Sequence, residues 1–266
     1  MMIGMSLSLG AMRASAAYSS ASMFAGGEAG DAWISNREWC YTKTLGGVYE
    51  NVTTSGDLVA RSTGMANGIN SDQDDVPKRP AYMEGGGLSW LAYDGVDDAL
   101  QTPSIDFTGT DKMSVFAGVH RVDATTRMVA ELSPSPSSPG MFYFISGTDI
   151  GFTAYSSLSR GTINPGAAGG SGFSAASPST DVVSITHDIS GDLSTMRVNQ
   201  VTGTSGTGDK GTGNFGNYPL NIGARNGSSI FFNGKLYGLI VRGAASTSPE
   251  ILAAEAYLAS LSGVTL

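Results

Sequence analysis

The feature that most constrains this chain is a series of short β-type runs that starts at Leu88. Clusters of Gly, Ser, Thr and Pro separate the runs, a pattern typical of strands joined by turns. Both alternating faces of the second run carry apolar residues, as expected for a strand inside a sandwich. The runs are Leu88–Tyr93, Met113–Val122, Arg127–Leu132, Met141–Ile145, Ile150–Tyr155, Val182–His187, Thr195–Val201, Leu220–Ala224, Ile230–Phe232 and Lys235–Arg242. The sequence therefore predicts an all-β sandwich.

The composition excludes several other classes of protein. Only 14% of the 266 residues are charged, and the 37 glycines follow no Gly-X-Y period, which excludes coiled coils and collagen. The net charge of −8 argues against a nucleic-acid partner, because such proteins neutralise phosphates with Lys and Arg. No apolar run is long enough to span a bilayer, so we expect no membrane insertion. Cys40 is the only cysteine, which leaves no internal disulfide.

The chain divides into three regions by its pattern. Residues 1–30 are small and polar and predict an extended N-terminal arm that becomes ordered against another protein. Residues 31–85 carry aromatic residues between turn signals, which predicts a short-strand packing region that anchors the domain. Residues 86–266 form the predicted sandwich, within which Gly161–Thr180 reads as a long flexible loop.

The predicted sandwich region ends in one helix. Ser248 is the expected N-cap, Pro249 suits the first helical position, and Glu250 lies near the positive end of the helix dipole. An apolar stripe follows, and Gly263 is the expected stop. The sequence therefore predicts one short C-terminal helix on an otherwise all-β domain.

Two segments carry a family resemblance. The stretch Leu91-Ala92-Tyr93-Asp94-Gly95-Val96-Asp97-Asp98-Ala99-Leu100 resembles a strand and turn of concanavalin A-like, laminin G-like jelly rolls. The stretches Pro219-Leu220-Asn221-Ile222-Gly223 and Phe231-Phe232-Asn233-Gly234-Lys235-Leu236-Tyr237 resemble the closing strands of the same fold. The resemblance covers about residues 86–247 and implies a jelly-roll sandwich.

The residues before the sandwich resemble bacteriophage virion proteins. The segments that carry this likeness are Phe24-Ala25-Gly26-Gly27-Glu28-Ala29-Gly30-Asp31-Ala32-Trp33, Gly56-Asp57-Leu58-Val59 and Arg79-Pro80. The resemblance implies a structural protein at the virion surface, in a head decoration, fibre, tail fibre or baseplate. The arm would bind other virion proteins, and the sandwich would be displayed, with host-surface glycan adhesion as a further role.

The same resemblance implies a homo-oligomer, with a trimer favoured and residues 1–85 supplying most of the contact. Closed symmetry is the default for soluble assemblies, and many weak contacts raise avidity. The alternative is a secreted bacterial carbohydrate-binding lectin module, which would require a signal peptide. The first 17 residues lack the basic start and the unbroken apolar run of such a peptide.

The distribution of carboxylates argues against an enzyme. Jelly-roll glucanases use paired carboxylates, whereas Glu131 is the only glutamate between residues 86 and 247, and no carboxylate adjoins it. An aspartate pair such as Asp181 and Asp188 has no supporting motif. The two histidines, His120 and His187, belong to no catalytic or zinc motif. We expect no enzyme activity and no cofactor.

The sequence offers candidate residues for a metal site and for a glycan site. Asp94, Asp97 and Asp98 could supply oxygen ligands to Ca²⁺, but the favoured interpretation is a turn in which Asp97 and Asp98 accept backbone N–H bonds. Glycan sites use aromatic platforms on loops, and five aromatic residues lie in or near predicted loops. They are Tyr143, Tyr155, Phe173, Phe215 and Tyr218, none of which the sequence singles out.

Overall fold

A computed structural model describes residues 20–135, 138–155 and 170–266. Within them the chain forms two antiparallel sheets that pack face to face, with one α-helix near the C-terminus. This confirms the predicted all-β jelly-roll sandwich with a C-terminal helix. No helix of the described residues is both long and apolar enough to cross a membrane.

Sheet A has eight strands and carries the helix on its outer face. In spatial order its path runs β16-β15-β14-β9-β18-β7-β6, and β1 also pairs with β18. The strands are β1 (Gly30–Ile34), β6 (Ala81–Gly85), β7 (Leu88–Asp94), β9 (Lys112–Arg121), β14 (Ser179–Asp188), β15 (Leu193–Val198), β16 (Val201–Thr202) and β18 (Asn233–Arg242).

Sheet B has ten strands in the order β13-β12-β11-β10-β17-β8-β5-β4-β2-β3. They are β2 (Cys40–Lys43), β3 (Tyr49–Asn51), β4 (Arg61–Thr63), β5 (Asn70–Asp72), β8 (Leu100–Asp106), β10 (Arg127–Leu132), β11 (Met141–Ser146), β12 (Asp149–Tyr155), β13 (Gly170–Ser174) and β17 (Asn217–Ile222). The large apolar core lies between the two sheets.

The segment before residue 86 is part of the sandwich. Strand β1 pairs with β18 along five residues, and β2 to β5 extend sheet B beyond β8. Trp33, Cys40 and Tyr82 are buried in the same core as the later strands. Asp31 fixes this segment, because its carboxylate accepts four backbone N–H bonds, three of them from the turn at residues 66–69. Residues 31–85 thus supply short strands that pack within both layers.

Only the last part of the predicted arm is described, because residues 1–19 lie outside the described residues. Residues Ser20–Phe24 form a 3₁₀-helix, not an extended strand. Met23 and Phe24 are buried against the C-terminal helix and the outer face of sheet A. Burial of these two apolar side chains stabilises the local turn.

Helix α1 (Ser248–Ser262) covers the outer face of sheet A. Its N-cap is Thr247, one residue before the predicted Ser248, because Thr247 forms a capping box with Glu250. Gly263 has a φ of 72°, which confirms the predicted stop. Ala254, Leu258 and Ala259 are buried against sheet A.

A short seam, residues 203–206, joins the two sheets along one side of the sandwich. Thr204 and Gly172 of β13 exchange two backbone hydrogen bonds of 2.7 and 3.0 Å. Gly206 and Ser194 of β15 exchange two more, of 2.9 and 2.8 Å. A Cβ on Gly206 would lie 2.0 Å from a carbonyl oxygen of β13, so only glycine permits this approach.

The structure differs from the strand predictions in several places. No predicted run covers β8, and a turn at residues 199–200 divides the predicted run Thr195–Val201 between β15 and β16. Strand β13 and the start of β14 lie within Gly161–Thr180, which was predicted to be a loop. The sequence pattern does not predict β13, because Gly170–Ser174 contains only one large apolar residue and therefore shows no apolar alternation. Ile230–Phe232, predicted as a strand, is irregular: Ile230 packs on the outer face of sheet B, and Phe232 enters the core between the sheets.

Candidate functional site

A row of polar side chains crosses the outer face of sheet B. Strand register places Tyr143, Glu131, Asn221, Gln101 and Asp72 side by side on five neighbouring strands. Their chain neighbours point the other way, into the core between the sheets. Because side chains alternate along a strand, all five belong to the outer face. Polar side chains aligned in this way can make several hydrogen bonds to one elongated ligand.

Half of this row is covered by the segment between β17 and β18, residues 223–232, here called the cover loop. Glu131 and Asn221 are fully buried, and Tyr143 is nearly so. The backbone N–H of Asn226 donates to Glu131 Oε2 at 2.6 Å. Ile230 packs on an apolar cluster of the same face, which comprises Met128, Met141, Tyr143 and Ile145. The cover loop therefore closes this half to a ligand.

The tip of the cover loop is a tight turn dictated by its sequence. Asn226 and Gly227 both have left-handed backbone, with φ of 48° and 64°, as a two-residue Asn-Gly hairpin turn requires. The Ser228 N–H closes the turn by donating to the Arg225 carbonyl at 3.0 Å, and the Arg225 N–H donates to the Ser229 carbonyl at 2.7 Å. The turn stands above Asn221 and forms one wall of a groove.

Glu131 lies beneath this turn, where its carboxylate has few hydrogen-bond partners. Its Oε1 has no hydrogen-bond partner, and the nearest cation, Arg225, places Nε 3.8 Å away. Burial raises the pKa of Glu131, while the Asn226 N–H and Arg225 act in the opposite direction. Desolvation outweighs these compensating contacts, so burial of the charged carboxylate destabilises the folded state.

The other half of the row is open and forms a groove of about 500 Å³. Gln101 lies exposed on its floor and donates to Asn221 Oδ1 at 2.7 Å. The cover-loop turn forms one wall and residues 72–74 form the other. The lining residues are Asp72, Gln73, Asp74, Ala99, Leu100, Gln101, Thr102, Pro103, Asn226 and Gly227.

The charged groups at the open end of the groove are paired. Asp72 accepts two hydrogen bonds of 2.7 Å from Arg61. The guanidinium of Arg61 in turn lies 3.8 Å from the ring centre of Tyr49. Lys43 donates to Asp74 at 2.5 Å, which lowers the pKa of Asp74. The groove thus presents amides and neutralised ion pairs to a ligand.

Two of the five aromatic residues considered as glycan platforms are buried, and two more are half-buried. Phe215 is in the main core, and Tyr143 lies under the cover loop. Phe173 and Tyr218 are half-buried and pack against the core, where Tyr218 donates its hydroxyl to a loop carbonyl. The side chain of Tyr155 lies outside the described residues. Aromatic residues beside predicted loops face inward here because they end core strands.

The structure brings the three candidate calcium ligands together. Oxygen atoms of Asp94, Asp97 and Asp98 all lie within 4.8 Å of one another. Asp94 accepts the N–H groups of Val96 and Asp97, and Asp98 accepts that of Asp94, as in a carboxylate-capped turn. Burial, followed by the charges of the two neighbouring carboxylates, raises the pKa of Asp98 to about 6. Asp94 and Asp98 are the turn acceptors, whereas the sequence predicted Asp97 and Asp98.

The other carboxylates considered for catalysis are separated. Asp181 pairs with Arg121 at 3.3 Å, and Asp188 pairs with Lys112 at 2.6 Å. Both aspartates lie on β14, seven residues apart, so they point to opposite faces of the sheet. Asp188 shares the Lys112 ammonium with Asp111, whose carboxylate lies 3.0 Å from the same Nζ.

Comparison with known proteins defines the fold and not a family. No family model and no curated protein matches this chain. Two solved structures are similar at 9% identity. One, a GH54 α-L-arabinofuranosidase soaked with a cyclic sulfate inhibitor, matches over 94% of this chain and 66% of its own, with a TM-score of 0.64. The other, an arabinofuranosidase complexed with arabinofuranosyl-α-1,2-xylobiose, matches over 92% and 65%, with a TM-score of 0.65.

A third solved structure covers a smaller part of the chain. The CBM40 of the Ruminococcus gnavus IT-sialidase, bound to α2,3-sialyllactose, matches 54% of this chain and 82% of its own. The identity is 11% and the TM-score is 0.41. At such identities the likeness to the longer chains establishes a shared sandwich fold.

Proposed function

We propose that this chain is a carbohydrate-binding β-sandwich that holds a glycan in the groove of sheet B. The supporting observation is the polar row, which aligns Gln101 and Asp72 along an open floor beside Asn226. Sugar hydroxyls donate and accept hydrogen bonds, and amides and carboxylates complement both roles. A similar solved structure holds an arabinofuranosyl-xylobiose, so that protein, which shares the sandwich fold, accommodates a sugar ligand.

We propose further that binding occurs without hydrolysis. Glycosidase carboxylates lie roughly 5–9.5 Å apart. Glu131 and Asp72 are three strands apart in the row, which corresponds to about 14 Å. Glu131 is also closed off by the cover loop. These features support a binding module and argue against turnover.

A glycan microarray followed by titration calorimetry tests the groove. Gln101→Ala removes an exposed floor amide, and we expect about fivefold to tenfold weaker binding of the best glycan, since one neutral hydrogen bond is lost. Thr202→Ala, on an exposed edge strand of sheet A, is the control and should bind as the parent does.

Two results would contradict the proposal. Unchanged affinity in Gln101→Ala would remove the groove as the binding site. Release of reducing sugars by the parent that disappears in Glu131→Gln would show an enzyme in place of a binding module.

The proposal also includes a location for the protein, at the surface of a bacteriophage virion. It rests on the motifs at residues 24–33, 56–59 and 79–80, and it includes an arm that binds other virion proteins and a homo-oligomer, with a trimer favoured. The alternative, a secreted bacterial lectin module, shares the glycan-binding groove. Capsid or tail genes beside the gene support the first setting, and a polysaccharide-use cluster supports the second.

A further inference from the structure

One cation of the described residues differs from all the others in its contacts. Twelve other Lys and Arg side chains of these residues contact a carboxylate or a backbone carbonyl. Lys235 alone has neither. In a protein with a net charge of −8, a cation without an anionic neighbour is unexpected. Its contact is aromatic, because its Nζ lies 4.2 Å from the ring centre of Trp90.

Trp90 lies on the outer face of sheet A, beyond the end of helix α1. Its neighbours Leu91 and Tyr93 point into the core, so Trp90 points outward. The ring is half-buried, with Tyr237 at 6.0 Å on one side. At Gly85 a Cβ would lie only 3.3 Å from the indole, so the absence of a side chain leaves space beside the ring. The indole is therefore a partly open platform.

His120 completes the group from the next strand. Register places it directly opposite Lys235, on the same outer face. Its Nδ1 lies 2.9 Å from the hydroxyl of Thr180, and Nε2 has no partner among the described residues. Burial, and then the charge of Lys235, lowers the pKa of His120, so the ring is neutral near pH 7. A neutral imidazole adds a hydrogen-bonding group and no charge.

We infer that Trp90, Lys235 and His120 form a second glycan site, which takes a carboxylate-bearing sugar of the uronate class. The sugar ring would stack on the indole, where the ammonium now rests, and the ammonium would pair with the sugar carboxylate. His120 Nε2 would hydrogen-bond a hydroxyl of the same sugar. One cation without an acidic neighbour matches one negative charge, which favours a carboxylate over a doubly charged phosphate.

This site goes beyond the proposed groove and is independent of it. The groove lies on the outer face of sheet B, whereas Trp90 and Lys235 lie on the outer face of sheet A. The two faces are separated by both layers and the core. A substitution at one site should leave the other unchanged, which allows each proposal to fail alone.

Titration calorimetry on the full chain, with two probes of equal length, tests the inference. The probes are a glucuronate-containing hyaluronan tetrasaccharide and neutral tetra-N-acetylchitotetraose. We expect Lys235→Gln to weaken binding of the acidic probe about tenfold, as loss of a charge-assisted hydrogen bond predicts, and Lys235→Arg to retain most of it. Trp90→Ala should abolish it. Lys78→Gln, which removes an exposed lysine paired with Asp75, is the matched control and should change nothing.

Four outcomes would overturn the inference. The acidic probe does not bind, or it binds Lys235→Gln as tightly as the parent. Sodium acetate competes as strongly, per carboxylate, as the tetrasaccharide, which would show a simple anion contact with no sugar recognition. Gln101→Ala, and not Lys235→Gln, removes the acidic probe, which would place it in the groove and leave the proposed function standing. A thermal melt of each variant excludes unfolding as the cause.

Discussion

The outer faces of the two sheets are covered in different ways. Sheet A lies under helix α1, a 15-residue element with capped ends and apolar contacts. Sheet B lies under the ten-residue cover loop, which closes only half of the polar row. A helix satisfies its own backbone and can bury a whole stripe, whereas a loop covers what its few side chains reach. The loop-covered face is accordingly the one that keeps a groove.

A buried glutamate lies under each cover, and the two differ in their partners. Glu255 of α1 accepts two hydrogen bonds from Arg197, of 2.9 and 3.1 Å, and one of 2.6 Å from Ser184. Glu131 under the cover loop accepts one backbone hydrogen bond, and its other oxygen has only Arg225 Nε, at 3.8 Å, as a cationic neighbour. The first carboxylate therefore ties the helix to sheet A, and the second is a desolvated charge that the loop compensates incompletely.

The largest expected effect on stability comes from removing apolar contact between helix α1 and sheet A. Leu258→Ala removes a fully buried side chain between α1 and sheet A and should lower the free energy of unfolding by about 3 kcal/mol. Leu252→Ala, on the exposed side of the same helix, is the matched control and should cost less than about 0.5 kcal/mol. Guanidinium unfolding measures both. Equal losses would mean that helix propensity, and not packing, holds the cover in place.

The same substitution at the two buried glutamates should have opposite effects. Glu255→Gln replaces a carboxylate that is bound bidentately by Arg197 and should cost about 2 kcal/mol at pH 7. Glu131→Gln removes a carboxylate whose burial is poorly compensated and should stabilise the protein by about 1 kcal/mol at pH 7.

The pH dependence sharpens this contrast. Because the pKa of Glu131 is raised in the folded state, the folded protein binds a proton more readily than the unfolded chain, and the penalty appears as pH rises above the unfolded value of 4.5. The gain of Glu131→Gln should therefore shrink as pH falls toward 4. A gain that stays constant from pH 7 to pH 4 would rule out charge burial as its source.

Strands with large apolar residues were predictable from the sequence. The run Arg127–Leu132 coincides with β10, and Leu88–Tyr93 misses only the last residue of β7. Gly263 ends the helix as predicted because only a left-handed residue closes it well. Strand β13 was missed because burial of Gly and Ser backbones leaves no apolar period to detect.

The candidate sites could not be read from the sequence in the same way. Glu131, Asn221 and Gln101 are neighbours only because β10, β17 and β8 pair out of chain order. Likewise, Lys235 meets Trp90, which is 145 positions away in the sequence, only because β18 pairs with β7. Local periodicity predicts which face a residue occupies, but the order of strands decides its neighbours, and that order depends on long-range packing.

The seam at residues 203–206 affects how the two sheets of the sandwich can separate. Separating the two sheets on that side would break at least two backbone hydrogen bonds, either those of Thr204 to β13 or those of Gly206 to β15. The opposite side has a second link of this kind, because Tyr82 of β6 exchanges backbone hydrogen bonds with Gly56 and Asp57, while Ala60 donates to the carbonyl of Tyr41 in β2. Both sides of the sandwich are therefore tied, and amide protons of the two links should exchange slowly with solvent, whereas those of the edge strand β3, which pairs only with β2, should exchange quickly.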